Sequence, residues 1–286
     1  MKTWLNTTEY PFKSHYYRTK YGKLHYVDEG KGNVILFIHG TPTWSFLYRN
    51  YIKTLSSNYR CIAIDNIGFG FSDKPTSFSG TPEDHSKILT DFINSLNLKE
   101  INLVVHDFGG PIGLNYAINN YDNIKSLILF NTWFWETKSN KDAIKINKIL
   151  NSWLGVFLYL NTNFSMKILF KKAFFDSKKL SKQVHQHYSK LYTSKRERQS
   201  LLKIGKSLIG SSDWYQENWN KITVLTNKPT LFLWGDKDNF IKPEQLKKWQ
   251  TKFVMAKIIN YDCGHFVQEE KPNESLKELI SFINDL

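Results

Sequence analysis

The stretch that most constrains this chain runs from Ile101 to Ala117. Ile101-Asn102-Leu103-Val104-Val105 is apolar and β-branched, which predicts a buried strand. Pro111-Ile112-Gly113-Leu114-Asn115-Tyr116-Ala117 reads as the opening of a helix. Between them lies His106-Asp107-Phe108-Gly109-Gly110, so Asp107 stands at a strand-to-helix turn with small residues packed behind it. A tight turn of this kind lifts one side chain above the sheet, and glycines relieve the crowding beneath it. The layout is that of a nucleophile elbow, with Asp in the place more often held by Ser. Taken alone, the same residues would serve equally well as a helix cap. The remainder of the chain decides between the two.

Strands and helices alternate on both sides of this turn. Residues 14–28 alternate about Tyr21-Gly22 and predict a β-hairpin. The continuous apolar run Val34-Ile35-Leu36-Phe37-Ile38 fits a strand buried on both faces. Further strands are predicted over 61–65, 125–130, 230–234 and about 255–260. Helices are predicted over about 45–55, 82–97, 243–253 and 272–284; the second opens on Thr81-Pro82-Glu83-Asp84, with Pro at the first helical position and an acid three residues after the cap. The pattern implies an α/β fold with a mostly parallel, eight-stranded sheet flanked by helices. After Phe130 the strands stop for about a hundred residues. Segment 136–215 is Lys-rich and apolar at helical intervals (Ile144, Ile149, Leu150, Trp153, Phe157), as expected of a helical cap inserted into a core formed by 1–135 and 216–286.

Hydrophobic residues make up 41% and charged residues 23%, a globular balance. The net charge of +13 is concentrated in that middle segment, where 16 Lys and Arg face 5 Asp and Glu. Such an excess could attract anions, an acidic membrane surface or nucleic acid, or it could simply solvate a helical surface. No nucleic-acid motif accompanies it, so nucleic acid is not an expected partner. Asn66-Ile67-Gly68-Phe69-Gly70-Phe71-Ser72-Asp73-Lys74-Pro75 matches no phosphate-cradling or dinucleotide pattern. The two cysteines, Cys61 and Cys263, suggest free thiols and a reducing compartment rather than a disulfide framework. Residues 1–9 contain no apolar signal core, and the longest apolar run, Trp153 to Leu160, is too short to span a bilayer. The expectation is a cytoplasmic protein without a membrane span, as a monomer or homodimer.

In open parallel sheets, sites form beyond the carboxyl ends of the strands. His39-Gly40-Thr41, Asp107, Asn131 to Trp135, Asp236/Asp238 and His265 all fall just after predicted strands. Asp238 alone would pass for a turn carboxylate, and His265 alone for a loop histidine. Asp107, Asp238 and His265 nevertheless follow the order nucleophile, acid, histidine, which is that of a hydrolytic triad. An Asp nucleophile can displace a leaving group from a saturated carbon and form an alkyl-enzyme ester. His265 would then take a proton from the water that attacks the ester carbonyl, while Asp238 holds the imidazole tautomer. The backbone N–H groups of Thr41 and Phe108 are the expected oxyanion-hole donors.

These motifs resemble the haloalkane dehalogenase family of the α/β-hydrolase superfamily, which is related to the epoxide hydrolases. The matching residues are His39-Gly40-Thr41-Pro42-Thr43-Trp44-Ser45-Phe46-Leu47-Tyr48-Arg49, the Asp65-to-Pro75 loop, the elbow, Trp234-Gly235-Asp236-Lys237-Asp238 and Gly264-His265-Phe266. The likeness covers roughly 30–135 and 220–286 and is weak in the helical segment. It implies conversion of a small apolar haloalkane and water to alcohol and halide, with no cofactor and no metal. Two departures stand out. The family typically places Trp directly after the nucleophile, where its indole N–H holds the halide; Phe108 has no such donor. Many members also carry Asn where Thr41 stands, and another branch carries Glu and draws a second donor from a lid Trp. Trp44, Trp133 and Trp135, and beyond them Trp153, are candidate leaving-group contacts, set against a simple packing role. Epoxide hydrolysis is the alternative; it requires a proton donor, which related enzymes supply from lid tyrosines, here among Tyr159, Tyr188, Tyr192 and Tyr215. Other chemistry on the same fold, as in a coelenterazine-type luciferase, and a non-catalytic binding module remain open, although an intact triad argues against the last.

Overall fold

A computed structural model describes residues 4–286. Eight strands form one sheet: β1 (His15–Thr19), β2 (Gly22–Glu29), β3 (Val34–Ile38), β4 (Arg60–Ile64), β5 (Ile101–His106), β6 (Ile124–Phe130), β7 (Thr230–Gly235) and β8 (Lys257–Tyr261). Their order is β1-β2-β4-β3-β5-β6-β7-β8. Only β2 runs antiparallel to its neighbours; every pair from β4 to β8 is parallel. The last strand begins later than its apolar residues suggest, because Met255 lies in a turn and is 88% exposed.

β3 and β5 lie at the centre and are buried at every position; β3 is an unbroken apolar run, and in β5 the buried Asn102 amide donates to the Val34 carbonyl at 3.1 Å. Helices α1 (Arg49–Leu55), α2 (Pro82–Ser95) and α3 (Gly109–Asn119) cover the sheet. α2 starts as its sequence dictates, with Pro82 in the first turn and the Thr81 hydroxyl accepting from the Asp84 N–H at 3.4 Å. α3 approaches β5 closely: a Cβ on Gly113 would meet Val105 Cγ1 at 2.8 Å.

Between β6 and β7 the chain is helical. α4 (Lys141–Asn151) is capped by Asn140, whose side chain accepts from the Ala143 N–H at 3.0 Å. Ser152 is extended (ψ 150°) and breaks the helix, and its hydroxyl starts α5 (Trp153–Phe157) by accepting from the Gly155 N–H at 3.0 Å. α5 folds back on the end of α4, where a Cβ on Gly155 would lie 1.8 Å from the Ile149 carbonyl oxygen. Wide π-type turns at Leu158–Thr162 and Ser165–Leu169 follow. Longer helices then span Lys182–Ser189, Lys195–Gly210 and Ser212–Lys221. The last of these crosses position 215, where sequence composition suggests the insertion ends. No helix among the described residues is long and apolar enough to cross a membrane. Cys61 and Cys263 are both buried free thiols.

Candidate active site

β5 delivers Asp107 to the carboxyl edge of the sheet with φ 53°, a backbone region that side chains other than Gly rarely adopt. Three bonds hold this turn: the Asp107 N–H donates to the Asn131 carbonyl at 3.1 Å, and the Asp107 carbonyl accepts from the Thr132 hydroxyl at 2.7 Å and from the Gly110 N–H at 2.9 Å. Surrounding glycines admit the crowding. A Cβ on Gly40 would sit 2.3 Å from Asp107 Oδ1, and one on Gly110 would sit 1.8 Å from Thr132 Oγ1.

The two oxygens of the Asp107 carboxylate face different partners. Oδ1 accepts from the Thr41 N–H at 2.8 Å, and Oδ2 lies 3.6 Å from His265 Nε2. The Thr41–Pro42 bond is cis. Phe108 caps α3, so its N–H belongs to the unpaired donors at the start of that helix. On the far side of the imidazole, His265 Nδ1 lies 2.7 Å from Asp238 Oδ2. An ionised carboxylate can only accept, so Nδ1 carries the proton. Burial alone would lower the His265 pKa, but Asp238 and Asp107 outweigh it and push it up to about 10.

Asp238 is itself fully engaged. Its Oδ1 accepts from the Phe240 and Ile241 N–H groups at 2.7 and 3.0 Å, and its Oδ2 also accepts from Asn131 Nδ2 at 2.9 Å. Asn131 is oriented in turn by the Gly235 N–H (2.8 Å) and the Gly235 carbonyl (3.1 Å). The sequence puts Asn131 at a strand end without a role; its position beside Asp238 arises only from the pairing of β6 with β7.

The His265 loop is fastened to the helical insertion. Its N–H donates to the Ala173 carbonyl at 2.9 Å. The Glu270 carboxylate accepts from Gly264 N at 2.8 Å, Phe175 N at 3.2 Å and Asp176 N at 2.9 Å. His106, one residue before the elbow, is held neutral, with burial lowering its pKa to about 3; its Nε2 therefore donates to the His265 carbonyl at 3.0 Å, leaving Nδ1 an acceptor with no partner among the described residues.

A cavity of about 370 Å³ opens onto Asp107 and His265. Its walls are mostly apolar, among them Phe108, Ile146, Leu201 and Phe240. Trp133 and Trp135 both line it. The Trp133 indole N–H is buried with no partner among the described residues, and the ring packs edge-on against Phe108 at 4.9 Å. Trp44 is not a cavity residue, contrary to its reading as a possible leaving-group contact: its indole N–H donates to the His187 carbonyl at 3.1 Å. Trp153 points to solvent, 80% exposed. Of the four tyrosines considered as proton donors, only Tyr159 lines the cavity. Tyr188 donates to Glu269, Tyr192 to the Pro42 carbonyl at 3.3 Å, and Tyr215 to the Ser207 carbonyl at 3.1 Å. A pair of phenols aimed at an epoxide oxygen is therefore absent among the described residues.

An elbow carboxylate, an imidazole charged by two acids and an apolar cavity in a doubly covered α/β sheet define a hydrolase scaffold. The family described as alpha/beta hydrolase fold matches residues 33–272, and the chain belongs to it. Within that family it is a haloalkane dehalogenase-like enzyme: it is 31% identical to haloalkane dehalogenase 2 of Mycobacterium tuberculosis over 95% of both chains. It is also 32% identical to a cis-3-alkyl-4-alkyloxetan-2-one decarboxylase of Shewanella oneidensis, over 96% of this chain and 89% of that protein. In three dimensions it shares the fold of the haloalkane dehalogenase DatA of Agrobacterium tumefaciens, with a TM-score of 0.86, 24% identity and 96% of each chain covered.

Proposed function

We propose that the protein hydrolyses small apolar haloalkanes through a covalent ester on Asp107, with residues 136–215 acting as a cap over a core of 1–135 and 216–286. The observation that carries this reading is the division of the Asp107 carboxylate, with Oδ1 on the Thr41 N–H and Oδ2 beside His265. Oδ2 attacks the carbon bearing the halogen, and the carbon–halogen bond breaks with its electron pair leaving on the halide. Oδ1 becomes the ester carbonyl, still held by Thr41.

Esterification removes the Asp107 charge, one of the two that keep His265 protonated. The imidazolium then releases its proton to solvent and becomes a base. It takes a proton from water, whose oxygen attacks the ester carbonyl carbon, and the developing oxyanion on Oδ1 rests on the Thr41 and Phe108 N–H groups. Collapse breaks the bond from the carboxyl carbon to Oδ2, His265 passes the proton taken from water to the departing alkoxide to give the alcohol, and His265 then recovers a proton from the regenerated Asp107 carboxylic acid. Asp238 holds Nδ1–H throughout. The net products are alcohol, halide and one proton. With Phe108 following the nucleophile, the Trp133 N–H is the leaving-group donor that the cavity offers.

A second reading is favoured by the Shewanella relative and by the missing indole at position 108. On an oxetan-2-one, Asp107 would attack the ring carbon bonded to the ring oxygen, and the C–O bond would break to leave a carboxylate on the neighbouring carbon. That carboxylate departs as carbon dioxide, its electron pair forms the alkene, and Asp107 is expelled. No water is consumed and His265 is not needed as a base. The test is a panel of 1-halobutanes, styrene oxide and a cis-3,4-dialkyloxetan-2-one, assayed for halide, diol, and alkene with carbon dioxide. Halide release is expected; alkene without halide moves the assignment to the second reading, and diol alone overturns both.

A further inference from the structure

Exposed lysines and exposed apolar side chains follow one another on adjoining turns of the insertion. Trp153 is 80% exposed, Leu154 50%, Phe157 48% and Ile149 47%, on the end of α4 and the short α5 folded against it. Lys141, Lys145 and Lys148 run along α4 and are all exposed, with Lys145 one helical turn before Ile149. Asp142, the acid of that helix, is turned to Lys242 at 2.6 Å and does not offset them. From 141 to 182 the chain carries nine lysines and two acids.

We propose that this face docks on an anionic lipid bilayer, with Trp153, Leu154 and Phe157 entering the headgroup boundary and the lysines pairing with lipid phosphates. An amphipathic surface of this composition lies in the interface plane, and an exposed Trp suits the headgroup level. Charge selects the occupant: two copies of so basic a face repel each other, whereas an anionic membrane attracts it. The face is also continuous with the cavity. Ile149 is exposed on the patch and lines the cavity, as do Ile146 and Leu150 behind it. A lipophilic substrate dissolved in the bilayer thus has an apolar route to Asp107. Docking itself is independent of which leaving group the site expels.

The test is co-sedimentation with vesicles of phosphatidylcholine alone or with about one-third phosphatidylglycerol, at low and high salt. Binding is expected only to the anionic vesicles and is expected to weaken at high salt. Trp153→Ala/Phe157→Ala, and separately Lys145→Gln/Lys148→Gln, should each lower partitioning about tenfold or more. Neither pair lines the cavity, so halide release from dissolved 1-bromobutane should be retained. Wild-type protein left in the supernatant, or binding unaffected by both double variants, overturns the proposal. So does a concentration-dependent dimer, seen by sedimentation velocity, that Trp153→Ala abolishes; the face would then belong to a second copy. Vesicle binding is read without any turnover, so a dead substrate panel leaves this result intact.

Discussion

Replacing Asp238 with Asn changes one atom and leaves no satisfactory arrangement. Oδ1 receives two backbone N–H groups, from Phe240 and Ile241, and Oδ2 receives His265 Nδ1–H and the Asn131 amide. An amide oxygen can serve only one side. If it stays with the backbone pair, the new NH₂ confronts His265 and Asn131, both donors. His265 must then turn Nδ1 into an acceptor, and its remaining proton moves to Nε2, the nitrogen that should take a proton from water. The charge that does most to raise the His265 pKa towards about 10 is lost as well. A wrong tautomer in such a triad costs about ten-thousandfold in rate. Each buried donor left unpaired adds about 1–3 kcal/mol of destabilisation. The loss should fall on ester hydrolysis, because displacement of halide by Asp107 needs no base. Rapid-quench measurements on 1-bromobutane should therefore show one equivalent of halide released quickly, a very slow steady state, and an alkyl adduct on the intact protein. Steady turnover within tenfold of the wild type, in a folded variant, would refute the assigned role of Asp238.

Other substitutions probe the neighbouring parts. His265→Phe should also trap the adduct, seen as an alkylated Asp107 peptide by mass spectrometry; an active wild type without a trapped ester in the variant would sink the covalent route. In Gly40→Ala, Asp107 must retreat by about 1 Å to clear the new Cβ, breaking its bond to Thr41, and kcat should drop about a hundredfold; near-normal kcat would contradict the crowded elbow. Trp133→Phe keeps the packing against Phe108 but removes the unpartnered N–H, and should lower kcat/KM for bromide and chloride substrates about tenfold to a hundredfold; unchanged kinetics would remove Trp133 from the leaving-group site. Burial holds His85 and His106 neutral, with pKa values near 3, whereas the unfolded chain protonates them below about 6.5. Unfolded protein then binds the extra protons, so stability should fall as pH drops from about 6.5 towards 3. His265 works in the opposite direction: its contribution is complete below about 6.5 and is lost as pH rises through about 10. Melting temperature against pH should peak between these flanks, and a flat profile on the acid side would contradict the neutral burial.

Much of the core was legible because its signals are local. The apolar run ending at Val105 and the glycines after Asp107 describe a strand and a cramped turn without reference to the rest of the chain. The order Asp107, Asp238, His265 follows from where strands end, and the structure brings the three side chains together at the carboxyl edge of the sheet. What escaped depends on contacts distant in sequence. Trp44 looks like a pocket residue beside Thr41, yet its N–H is committed to a carbonyl 143 residues away. Asn131 gains its meaning from the β6–β7 pairing. The insertion was harder still, since amphipathic spacing predicts helices but not which side chains they present to a cavity. Tyr188, Tyr192 and Tyr215 carry nothing in their sequence context that separates them from Tyr159.

The shared grip of Glu270 on Gly264, Phe175 and Asp176 bears on how the enzyme must breathe. One carboxylate ties the His265 loop to the helical insertion, so the stretch 173–176 cannot swing outward without dragging the imidazole from its post. The α4 part of the cavity wall makes none of these three bonds to Glu270. Substrate passage on that side would leave the imidazole at its place beside Asp107.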